Sequence, residues 1–446
     1  MVVNRKRVCG IARALALVMA LAALPVLAAA DAYDPPVNYY STATATDATL
    51  LTQLRTIVSS MTGVNYGDAR YSPPYTDPDP NTPGNIFLIY NRASVSDIWD
   101  DVNLPWNREH IWPQSRLGAS ASNNVVNIAS DQFNLRPADT DINNARANKP
   151  FGLDFTTGGH GPQGVSYYPG DADAGDVARS QFYMATRWST LSLTDAVIPE
   201  TGGLQMGDLS SLINYHFKDV PDTFERRRNH AIYGLAGVNS PAITNPFKQS
   251  NRNPYVDHPE FVWPIFKPGV NNTSQVSIAG GSVGTDGGWT RNVDLGRVFV
   301  GAAVPGAQNF TLNRAGLDGT YFEVTTSGAA TSSLSGRFNA FKNNEVENKS
   351  ITVGLNTTTS SAGLKSGTVT INNLDITNTV ASGQGSGDAN DLFNVSLTVL
   401  NHATPSFAGV SEVTTMMHDF GSIVEGSPAP AFNFDVFNYG NHRRDF

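Results

Sequence analysis

Near residue 268 the composition of the chain changes, and this change limits the folds that either part can adopt. Residues 31–267 contain helical patterns, five of the eight histidines and all but one of the tryptophans. Residues 267–272 (KPGVNN) are turn formers and predict a linker. The later part is rich in Gly, Ser, Thr and Asn, with alternating runs such as GTVTI at 367–371. The sequence therefore predicts a multidomain chain, with an α+β domain followed by all-β sandwich modules.

The β-rich part contains an internal repeat. The segment DLGRVFVG at 294–301 returns as DFGSIVEG at 419–426, and the two start points lie 125 residues apart. That spacing is about the length of one sandwich domain, and the pattern resembles the tandem immunoglobulin-like modules of bacterial secreted proteins. The second copy has too few predicted strands to close a sandwich. We therefore expect an incomplete second module, with a poorly ordered tail and a truncated chain.

The first 30 residues have the pattern of a signal peptide. A basic segment from Arg5 to Arg13 precedes an apolar run of 17 residues at 14–30, which ends in three alanines. A membrane helix is the alternative, but the run is short for a span and contains Pro25. We expect secretion to the periplasm or the extracellular space, with no membrane span in the mature chain. The predicted segments are a signal peptide (1–30), the α+β domain (31–267), a linker (268–275), a β-sandwich module (276–405) and an incomplete second β module (406–446).

Cysteine content and charge exclude several classes of function. The single cysteine, Cys9, lies within the predicted signal peptide, so the mature chain has none. Disulfides, thiolate metal sites and a cysteine nucleophile are therefore excluded. The net charge of −9 becomes more negative when the basic signal segment is removed. Binding to a polyanion would need locally concentrated positive charge or a metal ion.

The segment WNREHIWPQS at 106–115 places a carboxylate, Glu109, beside an imidazole, His110. It does not fit the zinc motif His-Glu-x-x-His. The inverted form would need histidine where Trp106 stands, and Pro113 argues against a continuous helix. The segment GHGPQG at 159–164 fits a nucleotide-binding pattern, but it contains proline and no helix follows directly, so we interpret it as a loop.

A second group of polar residues lies in DQFNLRPADTDINNAR at 131–146. Pro137 suits a first helical turn, which would place Asn134 at the start of a helix, with Asn143 and Arg146 on one of its faces. The predicted order is a histidine on a strand, a loop, a second strand and an asparagine at a helix start. That order is the layout of a ββα-metal (His-Me) finger.

These segments resemble the bacterial secreted or periplasmic endonuclease I family. The resemblance rests on REH at 108–110, WPQS at 112–115, NLRP at 134–137 and the residues 143–146, and covers about 106–266. Further stretches match in order: GDVAR at 175–179, ERRRN at 225–229, NRNP at 251–254 and DHPE at 257–260. Where the family commonly has Asp-Leu-His-Asn, this chain has DQFN at 131–134, so the asparagine is kept and the histidine is missing.

Hydrolysis of a phosphodiester requires a base for water and stabilisation of negative charge on the phosphate and the leaving oxygen. His110 suits the base, because the pKa of a histidine is ordinarily near 6.5. Oxygen ligands from Glu109 and Asn134 suit Mg²⁺, with Mn²⁺ or Ca²⁺ as alternatives, and the resemblance implies the same assignment. Because adjacent residues of a strand face opposite sides, Glu109 and His110 can reach one site only where the strand ends, twists or bulges. Arg116 is our first candidate for the phosphate clamp, with Arg136 and Arg146 as competitors.

Other features have structural interpretations beside the functional ones. Trp106 and Trp112 are predicted to be core residues, and 176–188 a helix with an apolar core face. Arg226 to Arg228 would be either a phosphate-binding patch or a solvated helix face, and His258 would belong to a structural turn.

The sequence thus predicts a secreted, metal-dependent endonuclease that cuts DNA and RNA with little sequence specificity and leaves 5′-phosphate ends. Its β modules would be accessories that bind a surface or a polymer. The alternative is an extracellular adhesion or polymer-binding protein whose nuclease domain is degenerate. Plasmid cleavage with and without a chelator separates the two.

Overall fold

The computed structural model describes residues 32–101, 105–152, 158–196, 203–267, 274–374 and 389–439. The predicted signal peptide (1–30), most of the predicted linker (268–275) and the last seven residues lie outside these ranges. Within the described ranges, no helix combines the length and the apolar character needed to cross a bilayer.

The N-terminal region combines helices with short paired strands. Its helices are α1 (Thr49–Ser59), α2 (Pro73–Thr76), α3 (Thr140–Arg146), α4 (Ala174–Arg187), α5 (Leu209–Lys218), α6 (Thr223–Tyr233), α7 (Pro254–Asp257) and α8 (Val262–Phe266). Its strands are β1 (Asn85–Phe87), β2 (Ser94–Ser96), β3 (Asn107–His110), β4 (Leu135–Ala138), β5 (Gly161–Gln163), β6 (Ser166–Tyr168), β7 (Ser192–Leu193) and β8 (Gln205–Met206). They pair as β1–β2, β3–β4, β5–β6 and β7–β8, and the α+β prediction for this region is confirmed.

Helix α4 is the centre of this region. Its side chains are buried from Ala174 to Thr186, and Val177, Phe182 and Met184 have no exposed surface. Gly175 allows the close approach of the next helix, because a Cβ atom there would lie 1.9 Å from the carbonyl oxygen of Asp219, just after α5. The predicted helix with an apolar core face at 176–188 is therefore confirmed.

Strands β3 and β4 form an antiparallel pair, with Glu109 opposite Arg136 and His110 opposite Leu135. The prediction that a helix begins around Pro137 is wrong, because Leu135–Ala138 is the second strand of this pair. Helix α3 begins after Asp139, whose side chain accepts hydrogen bonds from the backbone N–H groups of Asp141 and Ile142. Asp139, and not Asn134, is thus the N-cap.

The C-terminal region is a pair of facing sheets. Its strands are β9 (Gln275–Ile278), β10 (Ser282–Val283), β11 (Trp289–Phe299), β12 (Gln308–Ala315), β13 (Thr320–Gly328), β14 (Ala330–Ser332), β15 (Gly336–Phe341), β16 (Lys349–Leu355), β17 (Gly363–Asn373), β18 (Asp391–Leu400), β19 (Pro405–Ser406) and β20 (Phe437–Asn438). One sheet has the order β10-β11-β18-β17-β13-β15 and the other β14-β16-β12-β9, while β19 and β20 form a separate two-stranded sheet. Alternate residues such as Val293, Ile351 and Phe393 form one apolar core, so the predicted β-rich architecture is confirmed.

The internal repeat has the same local conformation in both copies. In each, the Asp side chain accepts a hydrogen bond from the backbone N–H of the Gly two residues later, at 2.8 Å. The glycines, Gly296 and Gly421, have φ values of +92° and +67°, which glycine adopts without strain. In the first copy this turn is a bulge in β11, whereas Phe420 and Ile423 of the second copy are exposed.

The two regions share a packed interface. Tyr321 on β13 is fully buried, and its hydroxyl donates to the carbonyl oxygen of His216 on α5 at 2.5 Å. Its ring centroid lies 5.2 Å from that of His216 and 5.3 Å from that of Phe217. Glu260 forms an ion pair with Arg337 on β15. The sandwich is therefore packed against the helical region through apolar and polar contacts.

Tyr321 provides a test of this interface. We expect Tyr321→Ala to lower the free energy of unfolding by about 3–5 kcal/mol, because a fully buried aromatic side chain leaves a cavity. Tyr321→Phe removes only the hydrogen bond to His216 and should cost about 1 kcal/mol. Tyr439→Ala, at a side chain that is 46% exposed, is the control and should change little. Denaturant unfolding of the full chain measures all three, and equal values for the two alanine variants would contradict the packing.

His216 also predicts how stability depends on pH. Burial, with a contribution from Arg179, lowers the pKa of His216 well below its usual 6.5. Below about pH 6.5 the unfolded chain takes up a proton that the folded chain does not. Below about pH 6.5 the free energy of unfolding should therefore decrease as the pH is lowered, by at most about 1.4 kcal/mol per pH unit. His216→Gln can still donate to the carbonyl of Pro259 and does not titrate, so its pH dependence should be shallower by that amount; identical curves would refute the assignment.

Candidate functional site

An open cleft of about 320 Å³ lies at the end of β3, beside α3. It is lined by Tyr66, Arg108, Glu109, His110, Pro113, Gln114, Ser115, Asn143, Arg146, Ala147 and Asn148. Strand β3 ends at His110, and both Glu109 and His110 line the cleft. Because β3 ends at His110, Glu109 and His110 can both reach the cleft, although adjacent residues within a strand face opposite sides.

His110 is held so that one ring nitrogen is engaged. Its Nε2 lies 2.8 Å from the carbonyl oxygen of Ala129, and its ring stacks on Tyr66 with centroids 5.4 Å apart. Because a carbonyl only accepts hydrogen bonds, Nε2 carries the proton and Nδ1 keeps its lone pair. Burial, together with the charges of Arg108 and Arg146, lowers the pKa of His110 to about 4. The imidazole is therefore neutral near pH 7 and can accept a proton.

The carbonyl that orients His110 belongs to a structured part of the loop between β3 and β4. The side chain of Asn127 accepts a hydrogen bond from the backbone N–H of Ala129 at 2.8 Å. The side chain of Ser130 in turn accepts one from the backbone N–H of Asn127 at 3.1 Å. This reciprocal cap fixes the turn that presents the Ala129 carbonyl. The sequence interpretation missed this turn, although Asn127 with Ser130 three residues later fits a cap.

Glu109 is 2% exposed and has two partners on one oxygen. Its Oε1 accepts hydrogen bonds from the hydroxyl of Tyr90 at 2.7 Å and from Nη1 of Arg146 at 3.0 Å. Burial raises the pKa of Glu109, and the charge of Arg146 opposes that effect. One buried arginine thus supports the ionised form of a carboxylate that lines the cleft.

Asn134 is not brought to the cleft. It has no exposed surface, and its Oδ1 accepts from the backbone N–H of Trp112 at 2.6 Å. Its Nδ2 donates to the carbonyl oxygen of Trp112 at 3.1 Å. Both ends of the amide are therefore used to hold the chain just after His110. This geometry speaks against the predicted role of Asn134 as a metal ligand and gives it a structural role.

Asn143 lies where the sequence interpretation placed Asn134. It is on α3 and lines the cleft together with Glu109. Its Nδ2 donates to Oδ1 of Asn107 at 2.7 Å, which orients the amide, and no described residue donates to its Oδ1. The shared helical face of Asn143 and Arg146 was the sequence signal for this position.

Two of the predicted phosphate clamps are buried away from the cleft. Arg116 is 1% exposed, and its Nε donates to the carbonyl oxygen of Asn148 at 3.3 Å. Arg136 forms ion pairs with Asp77 at 3.1 Å and Asp176 at 3.2 Å. Neither side chain lines the cleft, so the geometry does not favour either as a phosphate clamp.

The third predicted clamp, Arg146, lines the cleft but has internal partners. Besides Glu109, it donates to the carbonyl oxygens of His110 at 2.8 Å and Ile111 at 2.5 Å. Its guanidinium lies over the ring of Phe151 at 4.5 Å. These contacts give Arg146 the task of holding the end of β3 against α3.

The oxygen atoms that face the cleft are compatible with Mg²⁺. A carboxylate from Glu109 and an amide oxygen from Asn143 are hard ligands, and Mg²⁺ is commonly bound by one or two protein oxygens with waters filling the other positions. Within the described residues, no group of three or more His, Cys, Asp or Glu side chains is arranged to hold a metal ion. The donor set is therefore a sparse oxygen site and not a thiolate or multi-histidine site.

The remaining interpretations have mixed outcomes. None of Arg226, Arg227 and Arg228 lines the cleft, so they do not form a phosphate-binding patch there. They are not a solvated helix face either, because Arg228 is buried in an ion pair with Asp77 at 2.9 Å. His258 is structural as predicted, since its Nδ1 lies 3.0 Å from Glu260 and its ring stacks on Phe261.

The two tryptophans near the cleft are core residues, as predicted. Trp106 is 1% exposed and Trp112 has no exposed surface. The segment 159–164 contributes to the β5–β6 hairpin and leads into no helix directly, which agrees with its interpretation as a loop.

A family model and two relatives match this chain. The family model of endonuclease I matches residues 46–247. An extracellular ribonuclease of Bacillus subtilis (strain 168) is 34% identical over 259 residues, which cover 54% of this chain and 83% of the relative. An extracellular ribonuclease of Bacillus amyloliquefaciens is 34% identical over 245 residues, covering 50% of this chain and 76% of the relative.

Among solved structures, a family 123 glycoside hydrolase from Clostridium perfringens matches 30% of this chain and 28% of its own. Its TM-score of 0.20 and identity of 11% are too low to inform the fold. The family model covers every residue that lines the cleft. The chain belongs to the endonuclease I family.

Proposed function

We propose that this protein is a secreted, metal-dependent endonuclease that hydrolyses DNA and RNA with little sequence specificity and leaves 5′-phosphate ends. The observation that carries the proposal is the convergence of His110, Glu109 and Asn143 on one cleft. In this proposal β3, β4 and α3 are the ββα-metal finger. Secretion is supported by the leader-like first 30 residues and by the two relatives, both described as extracellular.

His110 is the proposed general base. Its Nδ1 takes the proton of the attacking water, while the Ala129 carbonyl holds the proton on Nε2. The neutral imidazole needs no prior deprotonation near pH 7. Because the nucleophile is water, the 2′-hydroxyl of RNA takes no part, and DNA is cut as well as RNA.

Glu109 and Asn143 are the proposed metal ligands, and Asn143 replaces Asn134 in that role. Mg²⁺, with Mn²⁺ or Ca²⁺ as alternatives, would supply charge neutralisation at the phosphate and stabilise the leaving oxygen. Arg146 and Tyr90 hold the Glu109 carboxylate, and Asn107 orients the Asn143 amide. Asn134 acts indirectly, because its side chain holds the backbone of Trp112, two residues after the end of the strand.

We further propose that the β-rich region consists of immunoglobulin-like modules that bind a surface or polymer, with the boundaries predicted above. The alternative, an adhesion protein with a degenerate nuclease domain, has less support. A degenerate site would not be expected to keep an oriented neutral histidine and two oxygen ligands on one cleft. Loss of plasmid cleavage by the full chain in a chelator, with recovery on adding Mg²⁺, supports the enzyme; no cleavage in either condition supports the alternative.

The ligand assignment predicts different effects for the two asparagines. Asn143→Ala should raise the Mg²⁺ concentration for half-maximal plasmid cleavage by about tenfold or more, because one of two protein ligands is lost. Asn134→Ala leaves two buried backbone groups of Trp112 without partners and should lower the free energy of unfolding by about 1–3 kcal/mol. Mg²⁺ titrations and denaturant unfolding of both variants measure these effects. The reverse pattern would restore Asn134 as the ligand.

The role of His110 predicts a separation between chemistry and metal binding. His110→Ala should abolish cleavage and leave the affinity for Mg²⁺, measured by calorimetry, nearly unchanged. End-group analysis of digested duplex DNA should show 5′-phosphate and 3′-hydroxyl ends. Cyclic phosphates from RNA together with intact DNA would instead show that the 2′-hydroxyl is the nucleophile.

A further inference from the structure

The three arginines proposed from sequence as phosphate clamps are all committed elsewhere, and a fourth cation lines the cleft. Arg108 is half-buried, and within the described residues it forms no ion pair with a carboxylate. We propose that Arg108 binds a phosphate of the nucleic-acid strand beside His110, the proposed general base. Tyr66 then sets the distance between the side chains of Arg108 and His110. This inference rests on the proposed function, since it names the substrate contact of the same cleft.

Strand β3 carries both Arg108 and His110. The two residues lie two positions apart on β3, and both line the cleft. Tyr66 contacts both side chains. Its ring stacks on His110 with an interplanar angle of 17°, and Cζ of Arg108 lies 3.6 Å from its ring centroid. We call His110, Tyr66 and the Arg108 guanidinium the stack, since the Tyr66 ring stacks on the first and is covered by the last.

Several contacts hold the guanidinium in this stack. Arg108 donates one hydrogen bond to the carbonyl oxygen of Tyr66, and its Cζ lies 5.1 Å from the ring of Trp99. The backbone N–H of Tyr66 donates to the carbonyl oxygen of Val125 at 3.3 Å, which ties the stack to the β3–β4 loop. An arginine ordered in this way loses less entropy when its remaining N–H groups bind a ligand.

A phosphate is the ligand class that this group fits. The planar guanidinium presents paired N–H donors to two phosphate oxygens, and the chain is acidic overall, so positive charge at the cleft has to be local. Arg146 is neutralised by Glu109, which leaves Arg108 as the lining arginine without an acidic partner among the described residues. Asp101, an acidic residue whose charge acts on Arg108, is paired with Arg70 at 3.6 Å.

Arg70 provides a matched control. Its Cζ lies 5.8 Å from the ring of Trp99, so it belongs to the same aromatic surroundings as Arg108. It does not line the cleft, and it has a carboxylate partner. Arg70→Gln and Arg108→Gln therefore remove the same charge from neighbouring positions, and only Arg108→Gln should remove a phosphate contact.

The experiment measures binding of a fluorescent single-stranded 12-mer to the full-length protein in a chelator, by anisotropy at several salt concentrations. Arg108→Gln should weaken binding about tenfold and reduce the slope of log affinity against log salt by about 0.7, the value for one phosphate contact on a single strand. Arg70→Gln should leave that slope unchanged. Tyr66→Phe keeps the aromatic ring and should show the same slope as the parent protein. Tyr66→Leu removes the ring and should show a smaller slope.

An unchanged slope and affinity in a folded Arg108→Gln variant would overturn the proposal, as would an equal loss in Arg70→Gln. Equal behaviour of Tyr66→Phe and Tyr66→Leu would remove Tyr66 from it. Failure of the proposed function has a different signature: the parent protein neither binds the strand nor cuts it with Mg²⁺. If the strand is cut in the chelator, metal dependence has failed, and the salt dependence of kcat/KM then compares the same variants.

Discussion

The cleft depends on one buried cation, Arg146. From α3 it reaches the Glu109 carboxylate and the two backbone carbonyls of His110 and Ile111. The same guanidinium therefore supports the ionised form of the Glu109 carboxylate and holds the end of β3 against α3, the helix that carries Asn143. Removing one partner of a buried charge pair is strongly destabilising, so the position of every cleft residue on β3 and α3 depends on this contact. Because it is buried and bonded internally to three acceptors, we propose Arg108 and not Arg146 as the cation that meets the substrate.

A second network of buried charges holds the cleft against the helical core. Arg136 on β4 lies between Asp77 and Asp176, and Arg179 on α4 pairs with Glu225 on α6 at 2.6 Å. Burial raises the pKa of Glu225, and the charge of Arg179 opposes that effect. Buried pairs of this kind contribute little net stability, but they specify one arrangement of partners. They join β4, α4 and α6, the elements that back the cleft.

The sequence predicted the α+β region, the β-rich region, the core tryptophans and the segment in which Glu109 and His110 line the cleft. It did not predict which asparagine faces the cleft. Asn134 and Asn143 lie in one polar segment, and Pro137 suggested a helix start that would have favoured Asn134. The outcome was decided by a non-local contact, the pairing of Leu135–Ala138 with β3, which delays the helix to Thr140. Arg116 was similarly misleading, because burial depends on packing that a local pattern does not contain.

The sandwich is best understood as part of the nuclease's own packing. Tyr321 and Ala340 belong to the same apolar cluster as Phe182 of α4 and Phe217 of α5. A module that only carried the enzyme to a surface would need no such shared core, and a connection by a flexible linker would serve it equally well. Because Tyr321 packs on His216 and Phe217 of α5, and α5 packs against α4, loss of the sandwich would expose apolar surface on α5. These contacts give the sandwich a structural role in the packing of the helical region.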